Sequence, residues 1–389
     1  MGRLLGLSVF AIHKDAGLSE RISLAGAALI CYAVSARLFH PNPERIPERE
    51  RGWARDVNSF VATIFLVTVG WVVLPDPVVA VGWAAAGLVL LEAGFAGKLG
   101  SLRLQGNLVA TLAFFRLFFA NFTDLGHTGW LSHRLLTVLP IIVSEYFIWS
   151  RYRAAEIGSR ERSAARLYLY APAILAVVLS RFEFGRALTV TGWAGITLAL
   201  YWTGIRGKMP DLRWQSYAVA LLAFWRCWNT NFYIPESLAG LNGRVLTGSL
   251  VVASFYAAQM LSPRADSGPA DGAGNIFRLL DRHGRVIFSL LASALLAVML
   301  YYEVSGGILT IAWTAQALAM LASGFPLRDR PLRLTGLFLF LVCILKIFLW
   351  DLRHLETLQR IVSFIVLGLI LVGVSWMYTR FRGRIQRYL

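Results

Sequence analysis

Charged and polar residues recur at a fixed spacing in three apolar stretches of this chain. After each of three tryptophans, a cation follows at 20 residues, a second cation at 33, and Asn or Asp at 38. The three sets are Trp83, Arg103, Arg116 and Asn121; Trp193, Arg213, Arg226 and Asn231; and Trp313, Arg333, Lys346 and Asp351. Because charge in apolar surroundings is costly, each second cation is a candidate for binding an anion or for pairing inside the protein.

The second cation of each set lies thirteen residues after the first, which is about 20 Å along a helix. Arg116, Arg226 and Lys346 are therefore predicted in the outer third of the hydrocarbon layer. One interpretation is that each cation snorkels toward the headgroups or is paired internally, and so fixes its helix. The other is that it contacts a ligand. The sequence leaves both open.

An Asn or Asp follows each second cation by five residues, about 140° around a helix, so the two are not expected to share a face. An arginine then opens the next helix of each set. These arginines are either interfacial anchors or part of a site for phosphate or carboxylate, which guanidinium binds through two parallel hydrogen bonds. The candidate ligand-binding residues are Arg116, Asn121, Arg134, Arg226, Asn231, Arg244, Lys346, Asp351 and Arg360.

Two glutamates break the repeated pattern and are predicted within the membrane. Glu145 lies near the middle of its helix, where we expect it to pair with Arg116 of a neighbouring helix. Glu92 lies nearer to the cytoplasmic end of its helix. Intramembrane carboxylates of this kind are candidates for ion pairing or for a proton relay.

The sequence shows no established catalytic or metal-binding motif. Asp124, His127 and His133 share one predicted loop, but their spacing matches no metal-ligand pattern. A phosphate-cradling glycine loop, a nucleophile elbow and a zincin helix are all missing from the sequence. We therefore expect no metal and no cofactor, and an enzyme is the less favoured class.

The composition is that of an integral membrane protein. Of its 389 residues, 57% are hydrophobic and 15% are charged, whereas soluble domains average about 25% charged residues. The net charge of +16 comes from Lys and Arg gathered between apolar segments. This distribution follows the positive-inside rule and gives no reason to expect nucleic acid as a partner. With thirteen crossings, it predicts an N-terminus outside and a cytoplasmic C-terminus.

The apolar segments predict an all-α polytopic fold of about thirteen transmembrane helices, since about 20 apolar residues cross a bilayer. The spans lie near 21–39, 57–75, 78–96, 104–121, 134–150, 167–182, 187–205, 214–231, 244–261, 286–303, 307–325, 334–350 and 360–379. We divide the chain into a partial repeat with one orphan helix (1–56), a first four-helix repeat (57–166), a second with a cytoplasmic linker (167–285), and a third with a basic cytoplasmic tail (286–389). Residues 3–15 are expected to be interfacial or re-entrant.

The C-terminal motifs resemble those of a bacterial family of multi-pass membrane proteins known as domain of unknown function 2339. The resemblance is carried by the runs 333–337 (RLTGL), 345–352 (LKIFLWDL) and 360–364 (RIVSF). It is closest over 307–382 and extends more weakly through the repeats. It implies a short member without the usual N-terminal extension. The family brings no catalytic residues that could be assigned to this chain.

Three functions are consistent with the sequence. The first is binding or moving an anionic amphiphile, such as a lipid or lipid-linked precursor, at the outer leaflet. The second is an enzyme acting on a lipid-linked substrate at the periplasmic face, with Asp351, Glu183 or Glu303 as acid or base. The third is a scaffold subunit of a membrane complex. Membrane lipids are expected partners in all three, and the sequence identifies no protein partner.

Overall fold

The structure, a computed structural model, describes residues 17–38, 48–155, 158–233, 237–238, 241–262, 282–304, 306–349, 365 and 372. These residues are almost entirely helical, so the all-α multi-pass prediction is confirmed at that level. The chain divides into two compact units, Met1–Glu183 and Phe184–Leu389. The predicted remnant 3–15, linker 263–275 and last span 360–379 lie outside the described residues, apart from the isolated positions 365 and 372.

The first unit is a series of helices joined by short turns and one hairpin. The helices are α1 (Leu18–Arg37), α2 (Glu48–Val73), α3 (Asp76–Ala96), α4 (Gly100–Arg116), α5 (His133–Ala154), the short α6 (Ser159–Ala165) and α7 (Leu167–Glu183). A π-helical turn, Leu117–Asn121, extends α4. Strands β1 (His127–Thr128) and β2 (Leu131–Ser132) form an antiparallel hairpin before α5.

The second unit also consists of helices joined by short turns and one hairpin. Its helices are α8 (Thr189–Arg206), α9 (Pro210–Asn229), α10 (Gly243–Leu261), α11 (Gly284–Glu303), α12 (Gly306–Gly324) and α13 (Arg330–Leu349). A 3-10 turn, Asn231–Tyr233, follows α9, and β3 (Ser237–Leu238) pairs antiparallel with β4 (Leu241–Asn242) before α10. In each unit we call the helix ends beside the hairpin the hairpin side, and the opposite ends the arginine-rich side.

Each predicted span between 21 and 350 coincides with one of these helices. Six helices among the described residues are long and apolar enough to cross a membrane: Arg49–Val73, Asp76–Ala96, Glu161–Glu183, Gly243–Leu261, Gly284–Glu303 and Arg330–Phe348. Helices outside this set include α4, which carries Arg103, Gln105 and Arg116 within its length. Such side chains lower the mean hydropathy of the helix, and they need partners from neighbouring helices.

Small residues let the consecutive helices α3 and α4 pack closely, as helices do in other membrane proteins. Gly87 of α3 faces Gly106 and Ala110 of α4 so closely that a methyl group on Gly87 would lie 3.1 Å from the Gly106 carbonyl oxygen. Val79, Val109 and other buried apolar residues form the adjoining core. A polar group is also enclosed here, since the fully buried Gln105 of α4 accepts hydrogen bonds from Ser59 and Thr63 of α2.

One turn geometry occurs at three places on the arginine-rich side. Lys98, Lys208 and Arg328 have φ angles of 54°, 51° and 50°, in the left-handed region. At each turn the next residue donates its amide to a glycine carbonyl four residues before the cation, over 2.9–3.0 Å. A Cβ on any of these glycines would meet the Cγ atom of the following arginine at 2.5–2.8 Å. The glycines are Gly94, Gly204 and Gly324, and this contact explains why they recur.

Two of the repeated tryptophans bond to the helix before their own. The indole Nε1 of Trp83 donates to the Val67 carbonyl over 3.0 Å, and that of Trp313 donates to the Ala297 carbonyl over 2.9 Å. Both acceptors lie sixteen residues before the tryptophan. These side chains therefore join α3 to α2 and α12 to α11.

Candidate functional site: the Arg116 cleft

Arg116 ends α4 on the hairpin side of the first unit and is 9% exposed. Its Nη2 donates to the Asp76 carbonyl over 3.1 Å and lies 3.6 Å from the Asp76 carboxylate. The guanidinium carbon is 4.3 Å from the ring centroid of Trp71 and 5.6 Å from that of Trp83. The cation is thus held by one half-exposed carboxylate and by two indole faces, which attract positive charge.

The start of α3 presents the acceptors for this cluster. The Pro75-Asp76-Pro77 turn begins the helix, with Pro in the first turn, where its missing N–H costs nothing. The Asn121 side-chain amide donates to the Pro77 carbonyl over 2.7 Å, beside the carbonyl that Arg116 uses. The expectation that Arg116 and Asn121 cannot act on one face is therefore wrong. The π-helical turn between them changes the residue spacing per turn, and both reach adjacent carbonyls.

The second unit contains the same arrangement at matching offsets. Arg226 Nη2 donates to the Arg186 carbonyl over 3.1 Å, and Asn231 Nδ2 donates to the Ala187 carbonyl over 3.0 Å. Asn231 also bonds to Thr247 of α10, and Arg226 lies 5.5 Å from the Trp193 ring centroid. In both units the cation reaches back 40 residues and the asparagine 44, although the asparagine ends a π-helical turn in the first unit and begins a 3-10 turn in the second.

The third set is described only as far as Lys346. Its Nζ donates to Thr310 Oγ1 of α12 over 2.6 Å. Asp351 and Arg360, which the sequence includes among the candidate ligand-binding residues, lie outside the described residues.

The arginines that open α5 and α10 bond to neighbouring backbone. Arg134 Nη1 donates to the Phe182 carbonyl over 3.3 Å, and Arg244 Nη1 donates to the Phe232 carbonyl over 3.2 Å. Arg244 also lies 3.3 Å from the Glu303 carboxylate. These contacts match the interfacial-anchor interpretation of the two arginines.

Two of the three carboxylates proposed as acid or base, Glu183 and Glu303, contact helix N-caps, and the third, Asp351, lies outside the described residues. Glu183 accepts a hydrogen bond from Ser132 Oγ over 2.6 Å, and Ser132 caps α5 through the Leu135 amide. Glu303 accepts two bonds from the Asn242 side chain, which caps α10. Each glutamate therefore fixes a hairpin against the end of a later helix.

Glu92 and Glu145 have different surroundings. Glu92 forms a two-pronged ion pair with Arg151, with N–O distances of 2.5 and 2.7 Å. Glu145 is 3% exposed and faces a cavity between α4, α5 and α7. Its expected pairing with Arg116 is absent, because Arg116 lies at the start of α3 with Asp76. No ion pair among the described residues includes Glu145.

The loop after α4 is closed by Asp124 and His133. The Asp124 carboxylate accepts the Gly126 amide over 2.7 Å and lies 3.0 Å from His133 Nδ1, while His133 Nε2 lies 3.0 Å from Thr128 Oγ1. His127 is exposed in β1, opposite Ser132. The two histidines therefore do not converge, and His133 already uses both ring nitrogens.

Acid is expected to open this loop. The Gly126 amide, followed by His133, lowers the pKa of Asp124 below its usual 3.8. A carboxylate with a lowered pKa contributes stability above its ordinary pKa, and that contribution disappears as the pH falls through the lowered value. Pepsin cleavage at the exposed Leu125 and Trp130 should therefore rise at acid pH in the wild type. In Asp124→Asn this rise relative to a reference substrate should vanish, and a rise of equal size in both proteins would contradict the assignment.

Two cavities meet at Arg116. An apolar cavity of about 530 Å³ is lined by Val67, Thr68, Trp71, Trp83, Leu112, Phe115, Arg116 and Phe119. A second cavity of about 350 Å³ is lined by Trp71, Asp76, Pro77, Arg116, Ala120 and Asp124, toward the hairpin side. We call the two together the Arg116 cleft. The cleft combines a hydrocarbon-like compartment with a polar mouth, and the cation lies at their boundary.

Comparison with known proteins identifies one family. Residues 285–381 match the model of the family described as Predicted membrane protein (DUF2339). The family resemblance is confirmed over this region. No curated protein and no solved structure matches the chain.

The DUF2339 region contains α11 to α13 and Lys346, whereas the Arg116 cleft lies in the other unit. Sequence reasoning missed two residues of that cleft, Trp71 and Asp76. Asp76 lies in the Pro75–Pro77 turn, at the same predicted depth in the membrane as Arg116. This equal depth was the sequence signal that could have identified Asp76 as a partner of Arg116.

Proposed function

We propose that the protein binds an anionic amphiphile, such as a lipid or a lipid-linked precursor, in the Arg116 cleft. The observation that carries this proposal is the position of Arg116 between an apolar cavity and a polar one. A hydrocarbon chain fits the compartment lined by Trp71, Trp83 and Phe119, while a phosphate or carboxylate reaches the guanidinium from the mouth. Guanidinium binds either group through two hydrogen bonds.

The contacts of Arg116 leave it suited to an incoming anion. Its Nε is buried without a hydrogen-bond acceptor among the described residues. Asp76 lies 3.6 Å away, beyond hydrogen-bond length, and its side chain is 52% exposed. A ligand anion in the cleft therefore replaces a weak partner that water screens, and the desolvated cation gains stronger bonds.

We infer a repeated architecture around this site. Three tandem four-helix repeats and an orphan helix would account for the three left-handed turns and for the two cation-and-asparagine pairs at equal offsets. The hairpin side is then the outer side of a bacterial inner membrane, with the N-terminus outside and the C-terminus cytoplasmic. Arg226 and Lys346 mark the corresponding positions of the other repeats.

The same proposal extends to movement of the amphiphile, which the helical repeats of a multi-pass protein could support. The enzyme and scaffold alternatives rest on the sequence alone, since no contact among the described residues favours either. Glu183 and Glu303 hold N-cap residues in this structure, so an acid or base role would require them to exchange those partners.

Binding of anionic lipid should depend on Arg116. In nanodiscs or mixed micelles, Arg116→Ala is expected to reduce binding of phosphatidylglycerol about tenfold, which is the effect of losing a hydrogen bond to a charged group. Binding of phosphatidylcholine should change less. Native mass spectrometry of the full chain can count the bound lipids of each class.

Two further variants make this test specific. Arg206 lies 4.3 Å from the Trp202 ring centroid on the arginine-rich side, so Arg206→Ala removes a similar cation outside the cleft and should leave binding unchanged. Asp76→Asn removes the competing carboxylate and should strengthen phosphatidylglycerol binding. The proposal fails if Arg116→Ala folds and retains wild-type preference for the anionic lipid.

A further inference from the structure

A larger cavity lies on the arginine-rich half of the first unit, between α4, α5 and α7. Its volume is about 620 Å³, within the range of small-molecule sites. Much of the lining is apolar, including Leu104, Phe115 and Ile174, which are each at least half exposed at the surface of the unit. A ligand can therefore enter from the bilayer rather than from water.

Glu145 is the buried ionisable group of this cavity. It is 3% exposed and has no hydrogen bond or ion pair with another described residue. The nearby arginines contact other acids: Arg103 lies 3.2 Å from Glu161, and Arg151 is bound by Glu92. A buried carboxyl group without a partner is costly, and here it borders an open space.

Part of the cavity lining is polar and aromatic. Asn107 Nδ2 donates to the Tyr152 hydroxyl over 2.7 Å, and the Tyr168 hydroxyl donates to Asn107 Oδ1 over 2.8 Å. The two tyrosine rings stack with centroids 6.2 Å apart. This network fixes the ring faces at the polar end of the cavity, and aromatic faces attract cations.

The charges along the cavity all have one sign. Of the described residues that line it, two are glutamates, Glu145 and Glu161, and none is Lys, Arg or His. The Arg116 cleft differs, since a cation lies between its two cavities, with Asp76 and Asp124 lining the mouth. A cation among the lining residues therefore distinguishes the cleft from this cavity.

We propose that this cavity binds a lipophilic primary amine, with the ammonium group on Glu145 and the hydrocarbon chain along the apolar wall. A primary ammonium donates up to three hydrogen bonds, so it satisfies the Glu145 carboxylate and retains donors for a tyrosine hydroxyl. The apolar lining contributes burial of the chain. This site is separate from the proposed anion site and does not depend on it.

The test measures binding of radiolabelled dodecylamine to the full chain in nanodiscs by scintillation proximity. Glu145→Gln keeps the shape and removes the charge, and it should weaken amine binding about tenfold. Dodecanol, which has the same chain without the charge, should bind more weakly than dodecylamine to the wild type and equally to both proteins. Glu92→Gln is the matched control, because Glu92 is a carboxylate of the same side that is outside the cavity.

A second variant keeps the test decisive if Glu145→Gln folds poorly. Ala171→Phe fills the cavity and retains the carboxylate, so it should abolish binding of dodecylamine and dodecanol alike. Competition by phosphatidylethanolamine would identify a lipid headgroup as the source of the amine, and lack of competition would identify a free amine. The proposal is overturned if folded Glu145→Gln, or folded Ala171→Phe, binds dodecylamine as the wild type does.

Discussion

Asp329→Ala is expected to lower the free energy of unfolding of the second unit by about 3–5 kcal/mol, the range for breaking one side of a buried ion pair. Asp329 is 3% exposed at the turn before α13. Its Oδ2 accepts hydrogen bonds from Arg285 Nε over 3.0 Å and from Gln259 Nε2 over 2.7 Å. The acid thus joins α10, α11 and α13, and its removal leaves a largely buried guanidinium without its carboxylate.

The stability change can be measured by titration with a denaturing detergent, followed by circular dichroism. Glu92→Ala is the control, because the Glu92–Arg151 pair is about 40% exposed on both sides and is expected to contribute at most about 1 kcal/mol. Replacing both Asp329 and Arg285 by apolar residues should cost less than Asp329→Ala alone, since no buried charge then remains unpaired. If Asp329→Ala and Glu92→Ala lowered the free energy of unfolding equally, the Asp329 network would make no special contribution to stability.

Gly106→Ala is expected to destabilise the first unit by about 1–3 kcal/mol, because overpacking a close contact forces the backbone apart. The added methyl group would lie 2.7 Å from Leu91 Cγ, 2.8 Å from the Gly87 carbonyl oxygen and 2.9 Å from the Leu91 amide nitrogen. Two of these three atoms belong to the backbone of α3, so a change of side-chain rotamer cannot relieve the contact.

Gly195→Ala provides the comparison for Gly106→Ala. Gly195 lies within α8, and a methyl group there has no neighbour within 4 Å. An alanine in a helix is usually favoured over glycine by about 0.5–1 kcal/mol, so no loss of stability is expected. The same denaturing titration serves both variants. If Gly106→Ala were as stable as the wild type, the close approach of α3 and α4 would not be a feature of the folded protein.

The positions of the helices could be predicted because each apolar segment is bounded by charged residues or by turn residues. The recurrence of Gly94, Gly204 and Gly324 was visible in the sequence, but its cause required the turn geometry, in which an arginine side chain passes over each glycine. The repeat spacing shows which residues are equivalent, but it does not show which residues they contact.

The partners of the buried charges were harder to predict. Glu145 and Arg116 have overlapping predicted depths, yet depth along a helix does not determine the direction of a side chain around it. Arg116 lies beside Asp76, and Glu145 lines a cavity that Asn107 and Tyr168 also line. Asp329 lies between Arg328 and Arg330 in the sequence, and only the packing of three helices shows that its carboxylate is buried.

The left-handed turns have a consequence for biosynthesis. A residue other than glycine in this conformation costs roughly 1–2 kcal/mol, yet Lys98, Lys208 and Arg328 occupy the three positions. A cation at the tip of a helical pair resists transfer through the translocation machinery, whereas glycine at the same tip would offer no such barrier. With the arginine-rich side cytoplasmic, as proposed above, the cations at these three strained turns would favour one direction of insertion for each pair of helices.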